Sequence, residues 1–426
     1  MISIAVLVGG KGTRVQSITN GKSKAEIKLD KKNTIIDYQL AKLTKLKKNI
    51  HIISNKNFLS LKQYVNKKYK NYKINFIDEN LQLGTAGAIK NLEILKANQD
   101  FLIVFGDLLF NFDFKKLINF HNLKKSECTL VIHPNSHPID SDCVKLNDDS
   151  QVVEFNKKPH KSKKIINNLC LSGILILNKK FLKLIKPNVP QDISKDLLDK
   201  ILKNNNKIFG YKTREYIKDV GTLTRIKQAK KDLDSIKYKK GNINSKIPAV
   251  FLDRDGVINY DKNNGKYQNP KTFIPGSLKS IKKINDEGYL AILITNQPAV
   301  AKGFISLKKL KEDFNFLTNK IAEQGGYLDD IFYCIHHPQK GFKNEVKELK
   351  KNCNNRKPNN GMFLLANKKH NINFKKSVMI GDRYTDYLAA KKTGVKFISI
   401  GILKIKNCPN KNNLKSAVKF LFKNKI

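Results

Sequence analysis

Short apolar runs alternate with longer amphipathic stretches along the whole chain. The apolar runs are Ile2–Val8, Ile50–Ser54, Ile74–Ile77 and Phe101–Phe105, then Ala249–Leu252, Leu290–Thr295 and Ser377–Ile380. Their length and β-branched content predict buried strands. Between them, 34–47 and 276–287 carry apolar residues at helical spacing. A strand–helix–strand rhythm of this kind predicts parallel sheets flanked by helices, an α/β chain with two doubly wound domains. Functional groups are then expected at the carboxyl ends of strands. The polar, lysine-rich stretch Ser235–Pro248 breaks the rhythm. Domains are therefore expected at 1–236 and 248–426, with 237–247 as linker. No internal repeat joins the halves.

Length agrees with this division, since 426 residues exceed one ordinary core. No apolar run approaches the roughly 18 residues that span a bilayer. The N-terminus runs straight from apolar residues into a glycine loop, so it reads as a first strand and not a signal peptide. No membrane partner and a cytoplasmic location are expected. The net charge of +46 invites a nucleic-acid reading. Lys carries almost all of it, spread through every segment with abundant Asn and Ile, which reads as composition filling solvated faces. No nucleic-acid partner is expected. Arg occurs only six times, and Arg14, Arg254, Arg356 and Arg383 all lie in the motifs below. A retained Arg suggests the planar fork that grips phosphate in two places. The six Cys have no paired disulfide spacing, which suits a reducing compartment.

In the first half, Val8-Gly9-Gly10-Lys11-Gly12-Thr13-Arg14 follows the first strand. A strand, a glycine loop and a helix make an anion cradle. Lys24 follows, then Leu83-Gly84-Thr85-Ala86-Gly87, Gly106-Asp107 and Asp219-Val220-Gly221-Thr222. Two distant acids, each beside a glycine turn, suit Mg²⁺ held near phosphate. In this order the motifs resemble the sugar-1-phosphate nucleotidyltransferases, with a Rossmann-like fold, over about 225 residues. The resemblance implies that Gly9, Gly10, Gly12, Thr13 and Arg14 hold a nucleoside triphosphate and that Lys24 neutralises its α-phosphate. Gln82 and Gly87 would lie near base and ribose, Asp107 and Asp219 would hold Mg²⁺, and Lys158 and Gly173 would meet the sugar phosphate. Ser23 stands where the family has Pro, and Lys157 where it has a sugar-binding Glu.

In the second half, Asp253 and Asp255 sit two apart at a strand end, so both carboxylates can reach one pocket. One can attack phosphorus while the other moves a proton. Thr295, Lys357 and Asp382 follow in that order, with Asp386 in the same run as Asp382. This order resembles the haloacid dehalogenase-like phosphatases over about 155 residues, without room for a large cap domain. The resemblance implies an aspartyl-phosphate on Asp253 and a general acid/base at Asp255. Thr295 and Lys357 would grip the phosphoryl group, and Mg²⁺ would sit on Asp253, Asp382 and the backbone of Asp255. Asn296, Gln297 and Arg356 are candidate substrate contacts. Asp-Arg-Asp-Gly, Thr-Asn-Gln, Cys334-Ile335-His336-His337-Pro338 and Arg356-Lys357-Pro358 look like the heptose-bisphosphate and histidinol-phosphate phosphatases. Those relatives carry a structural zinc on four ligands. Cys334, His336 and Cys353 supply three here, and Asn355 replaces the fourth. A degenerate loop with idle cysteines is the favoured reading, with zinc as the alternative.

A phosphatase that takes one phosphate from a sugar bisphosphate makes what a nucleotidyltransferase consumes. The resemblance thus implies an enzyme of nucleotide-activated heptose synthesis, with GTP favoured. Another sugar such as mannose 1-phosphate, another nucleotide, a histidinol-phosphatase-like second half, or one non-catalytic half remain open alternatives.

Overall fold

The computed structural model describes residues 2–10, 13–95, 100–160, 166–204, 206–261 and 272–424. They form two compact units. The first holds Met1–His133, Asp140–His160 and Leu169–Asn242; the second holds Ile243–Ile426 with Pro134–Ile139 and Lys161–Asn168. The stretch expected as linker is tied down on each side of the division. Arg214 donates from Nη1 and Nη2 to the carbonyls of Lys240 and Asn242, both at 3.2 Å. Asn371 Nδ2 donates to the carbonyls of Ile243 and Asn244 at 3.1 and 3.0 Å.

The first unit's strands are Ile2–Leu7 (β1), Ile50–Asn55 (β2), Ile74–Glu79 (β3), Asp100–Phe105 (β4), Leu108–Asn111 (β5) and Cys128–His133 (β6). Cys143–Leu146 (β7), Val152–Asn156 (β8), Cys170–Asn178 (β9), Ile208–Lys212 (β10) and Tyr216–Asp219 (β11) follow. The main sheet runs β10-β6-β9-β4-β1-β2-β3, and β5 pairs with β11 apart from it. Strands β1 to β4 are parallel, as the rhythm predicts. The sheet as a whole is not: β9 runs antiparallel to both β4 and β6. Its run Ile174–Leu177 is buried on both faces, so burial pattern alone cannot reveal its direction. β1 divides its residues with period two, Ala5 facing one core cluster and Ile4, Val6 and Val8 the other.

The second unit's strands are Ala249–Leu252 (β12), Leu290–Asn296 (β13), Asp330–Cys334 (β14), Val378–Gly381 (β15), Lys396–Ile400 (β16) and Asn410–Lys411 (β17). They form a parallel sheet in the order β14-β13-β12-β15-β16-β17. The helix Ser277–Asp286 returns from β12 toward β13 and buries Ser277, Ser280, Ile281 and Ile284 at helical spacing. Val250 and Leu252 face one core and Phe251 the other. In both units the central strand, β1 or β12, has its neighbours on opposite sides reached by separate crossovers. The crevice at its carboxyl end is where such sheets take ligands.

Candidate active sites

In the first unit, β1 delivers Gly9 and Gly10 to the crevice, β3 ends in Glu79, and β4 runs into Gly106 and Asp107. Buried Gln39 fixes the turn after β4, donating Nε2 to the carbonyls of Phe105 and Leu108 at 3.0 and 2.8 Å. A cavity of about 350 Å³ lies there, walled by Gly9, Gly10, Lys24, Gln82, Thr85 and Asp107 among others. Ser23 caps the turn that presents Lys24. Its Oγ accepts from Ala25 N–H, its N–H donates to Glu26, and its Oγ donates to the Val8 carbonyl at 3.3 Å. A serine thus does locally what a rigid proline would do in holding that turn.

The two acids far apart in sequence meet in space. Val220 N–H donates to the Asp107 carbonyl at 2.8 Å. A Cβ placed at Gly221 would lie 2.8 Å from Asp219 Oδ1, 3.3 Å from Arg14 Nη2 and 3.4 Å from Asp107 Oδ2. One point is therefore ringed by both carboxylates and one guanidinium, and glycine leaves it open. Lys24 Nζ stands 3.6 Å from Asp107 Oδ2. Burial and the neighbouring Asp219 charge push the Asp107 carboxyl up, against Lys24 and Arg14. An all-oxygen pair that repels itself in this way fits a divalent cation. Asp219 also takes Arg225 Nη1 at 2.6 Å and Gly221 N–H at 2.5 Å.

The other residues expected at this site divide. Gln82 Nε2 donates to the Gly9 carbonyl at 3.2 Å. Gly87 is buried against Leu83, and Gly84, Thr85 and Ala88 of the same helix, Gly84–Lys90, line the cavity instead. Gly173 packs on Phe105 and Leu108, either side of Asp107. Lys158 is exposed beside a cis bond to Pro159, and its N–H donates to Asp142 Oδ1 at 2.9 Å. Lys157, where a sugar contact was expected to be altered, pairs with Asp199 at 3.1 Å. Thr13 and Arg14 open a short turn after the glycine loop, and Gly12 lies outside the described residues.

In the second unit four charged groups close into one cluster. Lys357 Nζ lies 2.9 Å from Asp253 Oδ2 and 2.5 Å from Asp386 Oδ1, and donates to the Ile294 carbonyl at 3.0 Å. All three side chains are almost fully buried. Burial alone would lower the Lys357 ammonium, but Asp253 and Asp386 hold it up. Burial pushes the Asp253 carboxyl up, Lys357 opposing and Asp386 assisting. Asp382 is pushed up to about 8, by burial and then by Asp253 and Asp386. Asp253, Asp382 and Asp386 each bring an oxygen within 4.8 Å of the others, and Asp382 Oδ1 is buried with no hydrogen-bond partner among the described residues. That orphaned oxygen beside a second carboxylate fits Mg²⁺. Asp386 was in view in the sequence but given no role; its place one helical turn after Asp382 was the available signal.

Asp255 is gripped by its neighbour. Arg254 donates Nε and Nη2 to its two oxygens, both at 3.0 Å, and Gln297 Nε2 donates to Oδ2 at 2.9 Å. Gln297 is buried and also bonds Thr295 Oγ1, so it positions Asp255 and is not free for substrate. Asn296 is likewise committed, exchanging two hydrogen bonds of 3.0 Å with the Lys357 backbone. Arg356 Nη1 donates to the His336 carbonyl at 3.1 Å. Nearby, Lys302 and Lys350 set their ammonium groups 4.7 and 4.5 Å from the Phe342 ring centroid. Burial lowers the Lys302 ammonium, and Arg356 and Lys350 lower it further. Cys334, His336 and Cys353 bring their ligand atoms within 4.8 Å of one another, while Asn355 turns its Oδ1 toward Gly361. The trio suits zinc but stops one protein ligand short of a closed structural site.

Comparison with known proteins finds relatives for both units. The nucleotidyl transferase family model matches residues 4–235, and a HAD-hydrolase-like model matches 354–401. A D-glycero-beta-D-manno-heptose-1,7-bisphosphate 7-phosphatase of Vibrio cholerae is 38% identical over 148 residues, 35% of this chain and 77% of that protein. A D-glycero-alpha-D-manno-heptose-1,7-bisphosphate 7-phosphatase of Photorhabdus laumondii is 38% identical over 151 residues, 35% of this chain and 80% of the relative. Among solved structures, HddC from Yersinia pseudotuberculosis complexed with GMP-PN is 22% identical with a TM-score of 0.44, covering 55% of this chain and 100% of that one. No described helix is long and apolar enough to cross a membrane. The first unit makes the chain a member of the nucleotidyl transferase family, and its second unit belongs with the heptose-bisphosphate phosphatases of the HAD-like hydrolases.

Proposed function

We propose that the chain is a bifunctional enzyme of nucleotide-activated heptose synthesis. Its second unit converts D-glycero-D-manno-heptose 1,7-bisphosphate to the 1-phosphate, and its first transfers GMP from GTP to that product. The observation that carries this is the presence, in one chain, of two complete phosphate-handling clusters. One is built around Asp253 and Lys357, the other around Asp107 and Asp219. The phosphatase relatives include enzymes named for both anomers, so the anomer is left open.

In the phosphatase unit Asp253 attacks the 7-phosphorus, and the bond to the sugar oxygen breaks as Asp255 gives that oxygen a proton. Water then attacks the phosphorus of the aspartyl-phosphate, Asp255 takes its proton, and inorganic phosphate leaves. Lys357 and Thr295 hold the phosphoryl oxygens through both steps, while Arg254 and Gln297 aim Asp255. A cation on Asp253, Asp382 and Asp386 would supply charge neutralisation at the phosphoryl oxygens. The cations Lys302, Lys350 and Arg356, of which Lys350 pairs with Glu345 at 3.3 Å, suit the phosphate that is kept.

In the transferase unit the sugar phosphate is already anionic and needs no general base. Its oxygen attacks the α-phosphorus, and pyrophosphate leaves. Lys24 and Arg14 offset the charge that gathers there, and Asp107 and Asp219 would hold Mg²⁺. Phosphorus NMR of the purified protein with the bisphosphate, Mg²⁺ and each nucleoside triphosphate tests both steps. Heptose 1-phosphate should appear first, then a nucleotide diphosphate sugar. Full phosphate release by an Asp253→Asn protein would remove the first assignment. Pyrophosphate release by an Asp107→Ala protein would remove the second.

A further inference from the structure

Asp107 and Asp219 reach one point from different strands. Asp107 lies in the short turn between β4 and β5, and Asp219 ends β11, which sets it opposite Leu108 at the start of β5. The spacing of the two acids therefore depends on how β5 leaves β4. The backbone fixes part of this. Gly106 N–H donates to the Leu7 carbonyl and Val220 N–H to the Asp107 carbonyl, both at 2.8 Å. The carbonyls that flank the turn, those of Phe105 and Leu108, converge on one side chain, the Nε2 of Gln39.

Gln39 is fully buried, and its Oε1 has no hydrogen-bond partner among the described residues. A buried amide gives up one group here to satisfy two carbonyls, and the opposite orientation would set an oxygen against both. A hydrocarbon of the same size would avoid leaving Oε1 unpaired. What the amide adds is a single nitrogen that bridges the end of β4 and the start of β5. The helix that carries it, Ile35–Leu43, is anchored on another face. There buried Asp37 accepts from the hydroxyls of Tyr64 and Tyr69 at 2.6 and 2.8 Å and pairs with Lys68 at 2.9 Å. Nearly one turn beyond Gln39, Lys42 Nζ donates to Asn111 Oδ1 at 2.8 Å, at the far end of β5. The helix thus holds β5 at both ends.

We propose that Gln39 is a positioning residue for nucleotidyl transfer: by tying β4 to β5 it sets the spacing of Asp107 and Asp219, and so the affinity for the divalent cation they would share. This rests on the nucleotidyl-transfer reading of the first unit and deepens it. Gln39 does not wall the cavity, so it acts through Asp107.

Mn²⁺ binding to the full chain, followed by its paramagnetic resonance signal, tests this without substrate. Wild type should bind one ion at the acids of each unit, and Asp107→Ala should remove the site of the first. Partners that orient metal ligands are worth roughly 10- to 100-fold in metal affinity. Gln39→Met nearly conserves volume and donates nothing. It should weaken the site that Asp107→Ala removes by about that factor, and raise the Mg²⁺ needed for half-maximal pyrophosphate release equally. The second Mn²⁺ site and phosphate release should stay unchanged. If Gln39→Met does not fold, Gln39→Asn, which keeps the amide but draws it back, should weaken the same site. A folded variant with both Mn²⁺ sites at wild-type affinity, even one that melts earlier, would overturn the proposal and leave Gln39 a packing residue. If Asp107→Ala alters no Mn²⁺ site, the metal reading of the two acids falls, and the role of Gln39 with it.

Discussion

Replacing Lys357 by Met tests the buried cluster of the second unit most directly. Met nearly conserves volume, so the loss is one of charge. In the native cluster the ammonium faces Asp253 at 2.9 Å and Asp386 at 2.5 Å. Without it, Asp253 and Asp386 face each other with no cation between them, in a site that water barely reaches. Breaking a buried pair by removing one partner costs about 3–5 kcal/mol. A domain of this size shifts by about 2–4 °C per kcal/mol, so a fall of roughly 6–20 °C is expected. Scanning calorimetry of the full chain in EDTA at pH 7.5 measures it. Mg²⁺ should restore part of the loss, because a cation on the same oxygens replaces some of the missing charge. Lowering the pH toward 5 should also shrink it, as the carboxyls take up protons. Phosphate release should fall by roughly 10²–10³ in the presence of Mg²⁺, by analogy with the loss of one transition-state donor. A Lys357→Met protein as stable as wild type in EDTA at pH 7.5 would refute the reasoning, because the cluster would then not depend on its lysine.

Asp382 gives a second, pH-based expectation. Its carboxyl stands at about 8 in the fold against 3.8 ordinarily, so the folded chain holds a proton that the unfolded chain releases. Stability is then greatest below the unfolded value and falls as pH rises toward 8, by up to about 1.4 kcal/mol per pH unit. Denaturant unfolding in EDTA between pH 5 and 8 should show that fall, and Mg²⁺ should flatten it. Gly256→Ala should abolish phosphate release while sparing nucleotide binding, because its φ of +78° disfavours a side chain and a Cβ there would meet Asp382 Oδ2 at 2.0 Å. Retained phosphatase activity would show that the loop yields. Asn355→Cys should raise zinc content toward one ion per chain, where the native Cys334–His336–Cys353 trio holds less; equal zinc in both proteins, by mass spectrometry, would mean that the fourth position never faces the ion.

What could be seen in the sequence follows from which interactions are local. The parallel strands β1, β2, β4, β12, β13 and β15 announce themselves as apolar runs, because both of their faces are buried; β14, with its middle residues half-exposed, does not. The glycine-flanked acids were visible for the same kind of reason. Gly221 and Gly256 each leave room that a Cβ would take from a carboxylate, so acid and glycine travel together in the chain. The antiparallel β9 was not visible, since strand direction depends on partners far away. Nor was the commitment of Asn296 and Gln297. A polar residue after a strand looks alike whether it meets substrate or, as here, the Lys357 backbone and Asp255.

Glu79 shows the same limit from the other side. Nothing in its neighbours Asp78 and Asn80 separates it from a solvated acid, and Lys dominates the surface of this chain. Only the register of β3 beside β2, pairing Asn55 with Glu79, brings it under the glycine loop that follows β1. The constraint then becomes mutual. Any side chain at position 9 would collide with the Glu79 carboxylate, so the first loop glycine is needed for that acid to lie where it does. Gly10, with nothing within 4 Å of its would-be Cβ, is free to face the cavity. A motif read in sequence as a single phosphate grip thus divides in space. One glycine accommodates a buried acid, and the next leaves open space in the cavity.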